Sequence, residues 1–130
     1  MHEHGVQLRW SDPDSLGHVN HARALALIED ARMAMGEWGP EHEPDLILAR
    51  LEVDYLRQLP YRVGEGLTVR SWVPRLGTKS FTVRQELIQD GEVAIRADVV
   101  MVGFDYAANS TRALTDEERA YWSRYLEPTD

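Results

Sequence analysis

The stretch Trp10-Ser11-Asp12-Pro13-Asp14-Ser15-Leu16-Gly17-His18-Val19-Asn20-His21, followed from Ala22 by a run that reaches Trp38, decides how the chain is read. The first part is polar, holds two carboxylates, a proline and a glycine, and reads as a loop over about Ser11 to Val19. The second part reads as one long helix. Its residues Ala24, Leu25, Ala26, Leu27 and Ile28 are apolar in succession, which predicts a helix buried on nearly every side. Asn20 or a neighbour can cap it, because a short polar side chain there accepts from a free helix N–H. Arg23, Asp30 and Glu37 recur every seven residues and predict one narrow polar stripe. Glu29 and Arg32 are three apart and can pair across one turn. Gly36, Gly39 and Pro40 mark the helix end.

Outward from this junction the rest of the chain reads as strands. Val6 to Trp10 precedes the loop as a short strand. Pro40 to Asp45 is a polar connector. From Leu46 to Leu59, Leu51, Val53 and Tyr55 alternate with Arg50, Glu52 and Asp54, the period of a half-buried strand. The alternation changes phase at Leu56-Arg57, where a bulge or the strand's end is expected. Gly64 and Gly66 flank a turn, and Leu67, Val69, Ser71 and Val73 then share one face. After Gly77, Ser80 to Ile88 carries Phe81, Val83 and Leu87 on one face. Asp90-Gly91 is a hairpin signal, since both residues tolerate positive φ. Val93 to Phe104 is the last long strand, apolar on both faces from Val99 to Val102 and therefore central. Thr115-Asp116-Glu117-Glu118 is a capping box opening a short helix to about Tyr125. The expected architecture is α+β: an antiparallel, hairpin-linked sheet wrapped around a long central helix, with a short C-terminal helix.

Size and composition set the outer limits. The chain has 130 residues, enough for a single domain spanning 1–130. A net charge of -8 argues against nonspecific nucleic-acid binding, which relies on clustered cations. The absence of cysteine excludes disulfides, thiolate metal sites and Cys nucleophiles. No cationic-then-apolar leader opens the sequence, and no apolar run approaches the roughly 20 residues of a membrane span. The expected location is the cytoplasm, with no membrane partner. His2, Glu3 and His4 invite a metal reading, but no third clear ligand follows at useful spacing, so no metal is expected.

Asp12-Pro13-Asp14, Gly17-His18-Val19-Asn20 and Glu29-x-Ala31-Arg32 together resemble the signature of hotdog-fold acyl-CoA thioesterases of the 4-hydroxybenzoyl-CoA thioesterase type. The resemblance continues through Leu51-Glu52-Val53-Asp54-Tyr55, Leu76-Gly77-Thr78-Lys79-Ser80 and Leu114-Thr115-Asp116-Glu117-Glu118, and so covers nearly the whole chain. It implies hydrolysis of an acyl-CoA or acyl-carrier-protein thioester without a cofactor, coenzyme A being part of the substrate. It maps the family's catalytic carboxylate onto Asp14, as nucleophile or as general base. It puts the amides that polarise the thioester carbonyl near His21 and Ala22. It further implies a homodimer or homotetramer with active sites at the dimer interface. Two positions depart from the family pattern: His21 where a second asparagine is frequent, and Ala24 where an aromatic residue is common.

The residue types suit that chemistry. Free N–H groups at a helix N-terminus favour negative charge on a carbonyl oxygen, and a carboxylate a few residues upstream can attack or activate water. A thiolate leaves without a dedicated acid. Other readings of the same residues stay open. Asp14 also suits a turn or cap. Asp12 more readily holds the loop than reacts, and Gly17 fixes the loop's path. His18 reads as a base, an acyl contact or a packed loop histidine, and Asn20 as cap or substrate contact. Glu29 with Arg32 reads as an internal ion pair. Arg75, Lys79 and Ser80 suit coenzyme A phosphates or a solvated turn. Two other functions share the fold: an enoyl-thioester hydratase or dehydratase pairing His18 or His21 with Asp14, and a non-catalytic acyl-CoA binder.

Overall fold

The computed structural model describes residues 1–8, 14–36, 46–62 and 64–127. Among the described residues, six strands and two helices follow in the order β1 (His2–Gln7), α1 (His21–Met35), β2 (Leu46–Tyr55), β3 (Gly66–Leu76), β4 (Ser80–Gln89), β5 (Glu92–Asp105), β6 (Ser110–Thr111) and α2 (Asp116–Ser123). This is the hotdog arrangement, an antiparallel sheet with one long helix on its inner face and a short C-terminal helix.

Helix α1 starts where its cap requires. Asn20 is extended (φ -60°, ψ 138°), and its side chain accepts from the Ala22 amide at 2.9 Å. Gly36 ends the helix, its N–H reaching the Met33 carbonyl. The buried residues are Ala24, Leu27, Ile28, Ala31 and Met35, a single stripe at helical spacing. The expectation of burial on nearly every side is corrected here. Ala22, Ala26 and Met33 are exposed, together with Arg23, Glu29 and Asp30. Five consecutive apolar residues wrap around a helix, but a sheet touches only those on one stripe. Glu37 to Asp45 lie outside the described residues, so the third member of the polar stripe and the connector are not described.

The strand order is β1-β3-β4-β5-β2, with β6 beside β5. The expected chain of hairpins is therefore broken once. Strands β3, β4 and β5 follow one another as hairpins, but β2 pairs with β5 at the opposite edge from β1. Residues 56–62 lead the chain back from β2. Tight turns hold the rest: Asp90 (φ 55°) and Gly91 (φ 74°) close β4 to β5, as the sequence predicts. Strand β5 is central, as expected. Strand β1 begins at His2, earlier than the predicted Val6; Arg9 and Trp10 lie outside the described residues. Strand β6 has only two residues and no sequence signal announced it.

The inner face carries the core. Leu67, Val69, Val73, Phe81, Val83, Leu87, Ile95, Ala97 and Val99 are all buried, in agreement with the alternation read from the sequence. The outer face is charged and self-paired. Glu86 on β4 accepts from Arg70 on β3 at 3.1 Å and from Arg96 on β5 at 2.8 Å, while Arg84 makes a forked pair with Asp98 at 2.7 and 2.8 Å. Alternating charge across neighbouring strands keeps that face solvated and in register. Strand β2 is different. Leu48, Leu51 and Tyr55 share the inner face of the sheet, yet they are 46%, 40% and 53% exposed.

Helix α2 closes the far end of α1. Its capping box forms as predicted, Thr115 accepting from the Glu118 amide at 3.0 Å and Glu118 from the Thr115 amide at 2.8 Å. Trp122 stacks on Phe81, ring centres 4.6 Å apart. The hydroxyls of Tyr121 and Tyr125 both donate to the Met35 carbonyl, one of the free acceptors at a helix C-terminus. Thr115→Ala removes one half of the box and is expected to destabilise the protein by about 1 kcal/mol, measured as a lower urea midpoint with an unchanged m-value.

Candidate active site

The site is built by two pieces of chain that meet at Asn20. The first is the Asp14 to Val19 loop. Gly17 adopts φ 79°, a left-handed conformation that suits glycine. Its carbonyl accepts from the Tyr61 amide at 3.0 Å, and the Val19 amide donates to the Leu59 carbonyl at 2.8 Å. His18 bridges Pro60 by backbone pairing. The loop is thus anchored to residues 59–61, the return segment between β2 and β3. The second piece is the N-terminus of α1.

Asp14 folds its loop around one carboxylate oxygen. Oδ1 accepts from the Leu16 amide at 2.8 Å and from the His18 amide at 3.2 Å, and the Asp14 amide donates to the His18 carbonyl at 2.7 Å. Among the described residues Oδ2 has no partner. The Leu16 amide, and after it the His18 amide, hold the carboxyl below the usual aspartate value. Asp14 is exposed and ionised at neutral pH. The turn bonds occupy Oδ1 alone, so the turn-forming reading of Asp14 does not exclude the reactive one.

A cleft of about 520 Å³ opens beside it, lined by Asp14, His18, Asn20, His21, Ala24, Tyr55, Arg57, Gln58, Leu59 and Ile95, with Val19. Its depth is apolar: Val19, Ala24, Leu59 and Ile95 are buried. Its rim is polar. With alanine at position 24, the helix offers only a methyl group to the cleft.

The predicted site residues divide. Asp14, His18, Asn20 and His21 come together here, and Gly17 shapes the loop. Asp12 lies outside the described residues. The Ala22 amide is a correction: it is already taken by the Asn20 side chain. The first-turn amides with no acceptor among the described residues are those of His21 and Arg23, since the Ala24 amide bonds the Asn20 carbonyl at 2.9 Å. Glu29 is also corrected. Its side chain is 66% exposed and 3.8 Å from Arg32, so the pair is not internal, and Glu29 does not line the cleft. Arg75, Lys79 and Ser80 sit around the β3–β4 turn, at the end of the sheet where Ser80 pairs Val102. The cleft lies at the other end, by Ile95 and Tyr55. Within one chain these residues do not join it.

Tyr55, Arg57, Gln58 and Leu59 were missed. The only signal was the change of phase at Leu56-Arg57, which marks the end of β2 at Tyr55 but not the fold-back that brings this segment to the cleft. Arg57 pairs with Glu92. Among the described residues no group of His, Asp or Glu is arranged to hold a metal ion. His2 and His4 stack, ring centres 6.3 Å apart, on β1.

The sequence profile of the thioesterase-like superfamily matches residues 8–122. The chain belongs to that superfamily. This chain is a thioester hydrolase. A thioesterase from Thermus thermophilus, solved with coenzyme A and Zn, is 28% identical; the match covers 95% of this chain and 92% of that one, with a TM-score of 0.82. A predicted thioesterase from Bacillus stearothermophilus has the same fold, with a TM-score of 0.89 at 22% identity over 99% of this chain and 98% of that one. The uncharacterized protein YsmA of Bacillus subtilis is 27% identical over 122 residues, which is 88% of this chain and 80% of YsmA.

The state of Asp14 has a measurable consequence. Its side-chain carboxyl carbon, followed by NMR against pH, is expected to titrate below the ordinary aspartate value of about 3.9. A depressed folded-state pKa contributes stability above the unfolded value and loses it as pH falls through the folded one. The acid limb of stability is accordingly expected to flatten in Asp14→Asn, by an amount kept small because the group is exposed to solvent.

Proposed function

We propose that this thioesterase hydrolyses an acyl-CoA thioester, with Asp14 as the reacting carboxylate and the His21 and Arg23 amides as the oxyanion donors. The observation that carries the reading is the position of Asp14. Among the described residues, an ionised carboxylate with one oxygen unengaged lines the same cleft as the N-terminus of a long helix whose His21 and Arg23 amides have no acceptor. Amides so placed favour the negative charge that grows on the thioester oxygen. The carboxylate then works by one of two balanced routes. As a base it takes a proton from water as the water oxygen bonds the carbonyl carbon; the tetrahedral adduct collapses, the C–S bond breaks, and the thiolate leaves with the sulfur electron pair. As a nucleophile it bonds the carbonyl carbon itself, expels the thiolate, and leaves an anhydride that water opens. The coenzyme A bound to the Thermus thermophilus relative supports the choice of thioester.

The active unit in this proposal is a homodimer formed along β2. The outer edge of β2 has no strand beside it among the described residues, and its inner-face Leu48, Leu51 and Tyr55 are exposed. Exposed edges of this kind invite pairing with another strand. Pairing β2 with its copy about a two-fold axis is self-complementary and antiparallel. The two ends of β2 are about 30 Å apart at ~3.3 Å per residue, and the antiparallel arrangement brings the partner's Leu46 end beside this chain's Tyr55 end. It therefore brings the β3–β4 turn of the partner toward this chain's cleft. Arg75, Lys79 and Ser80 of the partner subunit then stand where a coenzyme A phosphate chain leaves the cleft, which reconciles their distance from Asp14 within one chain.

Two measurements test this. Free thiol release is followed over a panel of acyl-CoA esters: Asp14→Asn is expected to lower kcat by about 10²–10⁴ while KM stays within a few-fold, and unchanged release would remove Asp14 from the chemistry. Light scattering is expected to give a dimer or a multiple of it, and Leu51→Glu, which sets a charge on the proposed interface, to give an inactive monomer.

A further inference from the structure

Ser71 and Gln85, partners across β3 and β4, are polar and fully buried at the centre of the inner face, between the apolar Val69, Val73, Val83 and Leu87. A buried amide needs its hydrogen bonds, and Gln85 makes them to the helix above. Its Nε2 donates to the Ile28 carbonyl at 2.9 Å and to Ser71 Oγ at 3.1 Å, and its Oε1 accepts from Arg32 Nη1 at 2.9 Å. Ile28 and Arg32 are one helical turn apart. One side chain of the sheet therefore grips both ends of a single turn of α1. Burial lowers the pKa of Arg32 despite the pull of Glu29, so the guanidinium depends on Gln85 as its polar contact beneath the helix.

Apolar packing alone is non-directional and sets the position of a helix along a sheet only loosely. Hydrogen bonds to one turn set it sharply. We propose that Gln85 is a positioning residue for thioester hydrolysis: by holding Ile28 and Arg32 it fixes where α1 begins, and so where the His21 and Arg23 amides stand relative to Asp14. Ile28 lies about 10 Å along the axis from His21 at ~1.5 Å per residue, a span of continuous helix that carries any displacement to its mouth. The Asp14 loop is held separately, by the bonds of Gly17 and Val19 to Tyr61 and Leu59. The carboxylate and the oxyanion donors thus hang from two different supports, and Gln85 is the support of the second. The inference rests on the catalytic reading above.

The test compares Gln85→Leu, Gln85→Glu and the core control Val83→Ala. Gln85→Glu keeps an acceptor for Arg32, but an ionised carboxylate has no hydrogen for the Ile28 carbonyl, and it serves if Gln85→Leu fails to fold. Both Gln85 variants are expected to lose about ten- to a hundredfold in kcat with KM within about twofold, since misplacement of roughly an ångström costs on that order. Val83→Ala, assayed at the same folded fraction, is expected to keep the wild-type kcat. Backbone amide NMR gives a readout that needs no turnover: the His21 and Arg23 resonances are expected to move in both Gln85 variants and to stay in place in Val83→Ala. Unmoved resonances in the Gln85 variants, or a kcat equal to that of Val83→Ala, would overturn the proposal. If the wild-type protein hydrolyses no ester, the catalytic reading fails, while the amide resonances still decide whether Gln85 positions the helix.

Discussion

Everything in this structure depends on how little of the sheet one helix can cover. Helix α1 has 15 residues and one buried stripe, Ala24, Leu27, Ile28, Ala31 and Met35. A stripe of that width seals the middle of the inner face, and α2 seals its far end through Trp122 on Phe81. It leaves Leu48, Leu51 and Tyr55 of β2 in water. The same limit creates the cleft, because the sheet continues past the helix mouth where Tyr55, Leu59 and Ile95 line it. An incomplete cover accounts for both the exposed inner face of β2 and the pocket.

Polar groups then decide the position of the helix within that apolar frame. At one end Asn20 satisfies the Ala22 amide and leaves those of His21 and Arg23 without an acceptor among the described residues. At the middle Gln85 grips Ile28 and Arg32. At the other end two tyrosine hydroxyls close on the Met35 carbonyl. Three sets of directional bonds, one per region of the helix, hold an element whose apolar contacts alone leave its axial position open. The outer face of the sheet is organised by the opposite rule, with Arg70, Glu86 and Arg96 paired in a row across three strands.

Local features were legible in the sequence because their signals are local. The Asn20 cap, the Asp90-Gly91 turn and the Thr115 capping box each need only a few residues at fixed spacing, and all three formed. The alternation of Leu67 to Val73 and of Phe81 to Leu87 named the inner face correctly. The place of β2 was not legible. Alternation in Leu51, Val53 and Tyr55 announces one apolar face, but reads the same whether a helix of this chain or another molecule is to cover it. Helix burial was overestimated for a related reason: Ala26 and Met33 are apolar, yet periodicity alone assigns them to no neighbour. The Ala22 amide shows a different failure. A cap at Asn20 can take the amide two or three residues on, and only the geometry shows that it takes that of Ala22. Glu29 was paired correctly with Arg32 but placed inside, because spacing does not reveal that Arg32 turns under the helix to Gln85.

The most direct test of the account is a structure of the protein bound to an acyl-CoA analogue in which a methylene group separates the carbonyl from sulfur. The account requires the analogue's carbonyl oxygen to lie within hydrogen-bond distance of the His21 or Arg23 amide, with Asp14 Oδ2 facing the carbonyl carbon directly or through one water. A carbonyl bound away from the helix mouth, with Asp14 still turned only toward Leu16 and His18, would contradict it.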